Sequence, residues 1–178
     1  LVGSEMCIRD SIRRFKRLEG ILVPYVHGGG KIGVMVNLET PAGATDAVLA
    51  CGKDCALQVA ALKAPYLKRE DVPADVLESE KKIMLAQMDE DPKMANKPEQ
   101  VKAKIVEGKI GKYYSENCLL DQEFVKDGSF TVQKYVDNCA KEANTTIKVV
   151  DYVCFERGEG VEKKEDNFAD EVASMMKK

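Results

Sequence analysis

The spacing of apolar residues changes period near residue 40, and this change constrains the fold more than any other feature. In residues 31–38 every second residue is apolar, which is the pattern of a β-strand with one buried face. In residues 41–65 apolar and small residues recur three and four positions apart, which is the pattern of an α-helix. Thr45 or Asp46 can cap the start of this helix, and its content of Ala, Gly and Cys predicts close packing on a sheet.

Further strands are predicted both before and after this helix along the chain. Residues 12–20 and 21–27 each alternate loosely, and the short turns between them favour an antiparallel meander with residues 31–38. Pro24 has no backbone N–H, so its strand is predicted to lie at an edge or a bulge. Residues 145–160 are apolar on both faces, with Val149 on one face and Tyr152 on the other, which predicts a central strand covered on both sides.

Two long segments carry narrow apolar stripes among many charges. Residues 73–88 and 98–117 are separated by a polar turn, which predicts an antiparallel helical hairpin of the coiled-coil type. Residues 118–130 are predicted to form a loop with extended pieces, and residues 131–143 and 165–178 to form short helices. The resulting fold class is α+β, with a small antiparallel sheet packed with helices, a protruding hairpin and a C-terminal helix.

Domain boundaries are predicted where the pattern changes. We expect residues 1–10 to be an extraneous or disordered lead, because they show no period and do not join naturally to the alternating residues after them. The remaining predicted units are a core subdomain in two parts, residues 11–72 and 117–157, the hairpin at 73–116, and a C-terminal helical module at 158–178.

Charge and cysteine usage narrow the class of partner. The formal net charge is −3, so no overall basic field favours direct binding of nucleic acid or of an anionic membrane. No apolar run approaches the length of a membrane span. Six cysteines without a C-x-x-C pair indicate buried thiols in a reducing compartment. We therefore expect the cytoplasm.

The string HGGGK at residues 27–31 holds the single histidine of the chain. HGGG resembles the oxyanion-hole loop of some hydrolases, but the G-x-S-x-G elbow is missing. A phosphate loop would need Ser or Thr after Gly-Lys and then a helix, and here a strand comes next. One histidine and scattered cysteines do not form a metal-ligand cluster. We predict no catalytic residue, metal or cofactor, and two interpretations stay open: a plain hairpin turn and a recognition tip.

Four stretches carry a resemblance to a known family. They are IRRFKRLEG…YVHGGGKIGVMV, YLKREDVPADVLESEK, VEGKIGKYYSENCLLDQEFVKD and FERGEGVEKKEDNFADEVASM. Taken in order and spacing over residues 11–176, they resemble bacterial-type translation elongation factor Ts. The resemblance implies a guanine nucleotide exchange factor for elongation factor Tu that binds its GDP-bound and nucleotide-free forms and performs no covalent chemistry. It also implies that the location is the cytoplasm, or the matrix or stroma of an organelle with bacterial-type translation.

The resemblance also implies which residues touch the GTPase. A His-Gly turn that contacts the third domain of elongation factor Tu matches His27, Gly28, Gly29 and Lys31. A C-terminal helix that packs on the nucleotide-binding domain matches Phe168, Ala169, Val172 and Met175. The hairpin at 73–116 is an assembly or auxiliary contact in some members. The alternative functions are a coiled-coil module that self-associates through this hairpin and, less favoured, a small hydrolase that uses His27.

The sequence departs from the family's pattern at its beginning. Members normally start with a small helical domain and a first core subdomain carrying a Thr-Asp-Phe-Val motif, and residues 1–178 contain neither. We therefore expect a truncated chain that binds the GTPase weakly and exchanges nucleotide poorly.

Overall fold

The computed structural model describes residues 14–90 and 98–160, and these residues have the predicted α+β architecture. In chain order the strands and helices are β1 (Ile21–His27), β2 (Ile32–Glu39), α1 (Asp46–Leu62), α2 (Ala74–Glu90), α3 (Glu99–Asn117), β3 (Glu123–Phe124), β4 (Asp127–Thr131), α4 (Val132–Glu142) and β5 (Lys148–Glu156). The predicted C-terminal helix lies outside the described residues, as do residues 1–10. The domain boundaries stay a prediction.

The main sheet is antiparallel and has the order β1-β2-β5, so β2 lies in the middle. β1 is an edge strand, as Pro24 predicted. The prediction that β5 is central is wrong for the described residues, where β5 pairs with β2 alone. The strand predicted at 12–20 is also wrong, because residues 14–19 have no regular secondary structure.

Side-chain contacts hold residues 14–19 against the sheet. The Nζ atom of Lys16 lies 2.8 Å from a carboxylate oxygen of Asp151, and the amide of Asn37 donates to the carbonyl of Glu19 at 3.0 Å. Gly20 then turns the chain into β1 with a φ of 134°, in the region that favours glycine.

A β-bulge in β5 changes which side chains face the core. Asn37 pairs with Asp151 and Leu38 pairs with Val149, so Val150 is the extra residue and is 48% exposed. Val149 before the bulge and Tyr152 after it therefore pack on the same side. The prediction that these two residues lie on opposite faces of the strand is wrong for this reason.

Helix α1 packs closely on the sheet, as its small residues predicted. The Thr45 side chain accepts a hydrogen bond from Val48 N–H and caps the helix. At Gly52 an added Cβ would lie 2.5 Å from Cγ2 of Val23 and 2.9 Å from Cδ1 of Leu38. The absence of a side chain at residue 52 thus permits the short distance between α1 and the strands β1 and β2.

Helices α2 and α3 form the predicted hairpin, and they bury little between them. Met88 is the buried residue of α2 and Val106 that of α3. Ile83 is 50% exposed and Val101 is 40% exposed, so the facing helix leaves part of each apolar stripe uncovered. A two-helix hairpin has too little surface to cover every apolar residue of its stripes.

The base of the hairpin is tied to the core by hydrogen bonds. The guanidinium of Arg69 makes a bidentate ion pair with Asp121, at 2.6 to 3.0 Å. Gln58 of α1 is fully buried, and its Nε2 donates to Oε1 of Gln122 at 3.2 Å, while its Oε1 accepts from Val125 N–H at 2.8 Å. This buried amide therefore joins α1 to the segment after the hairpin.

Candidate functional site

The turn between β1 and β2 consists of residues 28–31. Gly28, Gly29 and Gly30 have φ values of 61°, 62° and 87°, all in the left-handed region. Lys31 N–H donates to the carbonyl of His27 at 3.1 Å and closes the turn. A hairpin turn was predicted from the glycines, and the geometry confirms it, because three consecutive left-handed residues are readily adopted only by glycine.

Both ends of the turn are anchored to the sheet. His27 pairs with Ile32 across the hairpin, and Ile32 pairs in turn with Glu156 of β5. The carbonyl of Lys31 accepts a hydrogen bond from Arg157 N–H at 2.8 Å, just after β5 ends. The glycine tip is therefore held by backbone hydrogen bonds to both neighbouring strands.

The side chain of His27 is exposed beside this tip and is backed by Tyr25. The hydroxyl oxygen of Tyr25 lies 3.1 Å from Nδ1 of His27, and the ring centroids are 6.0 Å apart. Tyr25 itself packs against the core cluster. Our sequence reasoning missed this partner, although residues two apart on a strand share a face and could have indicated it.

The structure brings four of the predicted contact residues together and does not describe the others. His27, Gly28, Gly29 and Lys31 form one exposed corner of the sheet. A Cβ at Gly28 would lie 3.6 Å from Cβ of Lys31, so the lysine side chain begins directly beside it. The second predicted set lies outside the described residues and consists of Phe168, Ala169, Val172 and Met175.

A groove of about 460 Å³ adjoins the turn on the outer face of the sheet. Val26 at its edge is 68% exposed, and the guanidinium of Arg14 lies 4.6 Å from the centroid of the Phe155 ring. The apolar side chains that line the groove are Leu18, Pro24, Val26, Met35, Val153 and Phe155. The corner that presents His27 is thus bordered by apolar surface.

Within residues 14–90 and 98–160, no group of three His, Cys, Asp or Glu side chains could hold a metal ion. Burial raises the pKa of the Cys118 and Cys139 thiols to about 11, which favours the protonated, weakly nucleophilic form. Within the same residues, no helix is both long enough and apolar enough to cross a membrane.

Comparison with known proteins adds a family to this geometry. A family model described as Elongation factor TS matches residues 8–159 of the chain. Elongation factor Ts of Syntrophotalea carbinolica is 45% identical over 163 residues, covering 92% of this chain and 52% of that protein.

Two clostridial proteins called elongation factor Ts give similar figures. The protein of Clostridium tetani is 44% identical over 169 residues, covering 93% of this chain and 54% of its own length. The protein of Clostridium botulinum strain Eklund 17B is 43% identical over 181 residues, covering 99% of this chain and 56% of its own length. The chain spans about half the length of these relatives, which fits the expectation that the sequence corresponds to part of a longer chain.

Proposed function

The chain belongs to the elongation factor Ts family, and from this membership we propose that it acts in translation elongation as a guanine nucleotide exchange factor for elongation factor Tu. The observation that carries the proposal is the corner at residues 27–31, where an exposed histidine sits on an anchored glycine turn. Such a corner offers hydrogen-bond donors and bare backbone to a partner, which suits recognition.

The proposed mechanism is differential binding. The factor binds the nucleotide-free GTPase more tightly than the GDP-bound form, and so raises the population from which GDP has left. By thermodynamic linkage, GDP weakens the binding of the factor by the same ratio that the factor weakens the binding of GDP. The factor makes and breaks no covalent bond in this scheme.

The proposed contact with the third domain of elongation factor Tu uses His27, Gly28, Gly29 and Lys31. Glycines without side chains let the backbone of a partner approach closely, and Lys31 adds a flexible positive charge at the edge. Phe168, Ala169, Val172 and Met175 are proposed to contact the nucleotide-binding domain of the GTPase. An apolar helix face with one small residue would allow close packing there.

The test is the release of fluorescent GDP from elongation factor Tu after these 178 residues are added. We expect acceleration that is weaker than that of a full-length relative, because the chain spans about half of such a relative. His27→Ala should reduce binding about 30-fold, as expected for a side chain worth about 2 kcal/mol at a protein interface. The control is Gln133→Ala on the exposed face of α4, which should leave release unchanged.

Two results would argue against this function. If the folded chain fails to accelerate GDP release at any concentration tried, exchange by these residues is excluded. If His27→Ala and Gln133→Ala behave alike while the unmodified chain is active, the activity does not depend on the corner at 27–31.

A second candidate function, self-association through residues 73–116, is favoured by the exposed apolar residues of the hairpin. Ile83, Leu85 and Val101 are each at least 40% exposed. A groove of about 910 Å³ runs along the hairpin and includes Leu85 and Ile110 in its lining. Sedimentation velocity should show a concentration-dependent dimer that is lost in Leu85→Lys. A monomer at all concentrations would remove this candidate.

A further inference from the structure

The side chain of Tyr25 is held by the fold and contacts His27. Its ring packs against the hydrophobic core, and its backbone pairs with Val34 of the central strand. Its hydroxyl oxygen lies at the edge of the sheet, 3.1 Å from Nδ1 of the His27 imidazole. A side chain held by packing along its ring has little freedom to move its hydroxyl, so the hydroxyl fixes one nitrogen of the exposed histidine.

The two imidazole nitrogens of His27 are placed differently. Nδ1 lies against the Tyr25 hydroxyl, whereas Nε2 has no hydrogen-bond partner among residues 14–90 and 98–160. In a neutral imidazole one nitrogen donates and the other accepts, and the bond made by one nitrogen sets the role of the other. A phenol O–H that donates to Nδ1 leaves the proton on Nε2, so Nε2–H becomes an outward-facing donor.

We propose that Tyr25 is a positioning residue that holds His27 in the Nε2–H form and directs this donor at an acceptor on the partner. The acceptor would be a backbone carbonyl or a carboxylate, since these groups accept from a neutral imidazole N–H. The role as a partner contact rests on the function proposed above, whereas the Tyr25–His27 bond itself is a property of the isolated chain.

The chain offers a clean spectroscopic test, because His27 is its single histidine. In untagged protein, at a pH where the ¹⁵N shifts show a neutral imidazole, the shifts of Nδ1 and Nε2 report the tautomer of this one residue. We expect Nε2 to carry the proton predominantly. Tyr25→Phe should lower the Nε2–H to Nδ1–H ratio about two- to tenfold, which is the factor that one hydrogen bond supplies.

The matched control removes a tyrosine hydroxyl elsewhere. Tyr113 lies on α3 of the hairpin, outside the corner, and Tyr113→Phe should leave the histidine spectrum unchanged. A spectrum of Tyr25→Phe that matches the unmodified chain would overturn the proposal. So would a predominant Nδ1–H form in the unmodified chain.

Binding to nucleotide-free elongation factor Tu separates positioning from a general structural role. Tyr25→Phe should raise Kd about two- to tenfold when His27 is present, and should have no further effect in His27→Ala. An equal loss in both backgrounds would show that Tyr25 acts independently of His27 and would overturn the proposal. If the unmodified chain does not bind at all, the proposed function fails, and the nitrogen spectra alone decide whether Tyr25 sets the tautomer.

Discussion

Replacing Gly52 with alanine isolates the energetic effect of the close approach between α1 and the sheet. An added Cβ would lie 2.5 Å from Cγ2 and 3.1 Å from Cβ of Val23, and 2.9 Å from Cδ1 of Leu38. Both residues are 2% exposed and lie in the main core cluster, so neither can move outward into solvent. The new methyl group must therefore displace these side chains, the helix or the strands from their packed positions.

Two opposing effects set the magnitude. Alanine is favoured over glycine inside a helix by about 1 kcal/mol, whereas an extra carbon in a packed core costs about 1–3 kcal/mol. Because two side-chain carbons would lie closer than 3.0 Å, we take the upper part of that range. The expected net loss is about 1–2 kcal/mol in the free energy of unfolding, or roughly 2–8 °C in Tm for a chain of this size.

The assay is urea denaturation followed by circular dichroism, with Gly108→Ala and Gly111→Ala in α3 as controls. At both control positions an added Cβ would have no atom within 4 Å, so the propensity gain of up to about 1 kcal/mol should appear alone. The m-value should stay constant if the same transition is observed in each variant. If Gly52→Ala is as stabilising as the two controls, the close packing inferred for α1 is wrong.

Three further predictions concern polar groups in or beside the core. Gln58→Leu should lower the free energy of unfolding by about 2–4 kcal/mol, because it leaves Val125 N–H, Oε1 of Gln122 and the Glu123 carbonyl without their Gln58 partner; urea denaturation will measure this. Burial raises the pKa values of Cys118 and Cys139 to about 11, so both thiols should resist iodoacetamide at about pH 8 in the folded chain and react on unfolding. Mass spectrometry will measure the labelling, and fast labelling of the folded chain would contradict the prediction. Because these pKa values are higher in the folded state, the unfolded state loses the thiol protons first as the pH rises. The contribution of the two protonated thiols to the free energy of unfolding should therefore be complete below about pH 8.5 and should decline as the pH rises towards 11. Urea denaturation should show this as a falling midpoint.

Helices and strands with a strong apolar period could be predicted from the sequence. Features that depend on which segments of the chain pair or make contact in space could not. The period of α1, with Thr45 as its cap, was sufficient to predict the helix and its close packing. Residues 14–19 alternate like a strand, but only long-range contacts such as Lys16 with Asp151 decide that they lie across the sheet. The bulge at Val150 was hidden because both faces of β5 are apolar, so alternation carries no information on which face is buried.

The same division applies to the candidate site. The glycine turn at residues 28–30 could be predicted because glycine is the residue that adopts left-handed backbone without strain. The contact of Tyr25 with His27 could be predicted only in part: residues two apart on a strand share a face, but the sequence does not show whether the Tyr25 hydroxyl turns toward His27 or toward solvent. Its direction depends on the core that holds the tyrosine ring.

The core and the corner at residues 27–31 are connected through β1. Val23, which Gly52 allows α1 to approach, lies on the same face of the strand as Tyr25 and His27. The packing of α1 therefore fixes the strand at one end, and the turn that presents His27 lies at the other. A corner that is already ordered would lose less conformational entropy on association than a mobile loop would. A shift of β1 caused by Gly52→Ala would displace this corner, so for the contact proposed above it should weaken binding to elongation factor Tu even in the fraction of chains that stays folded.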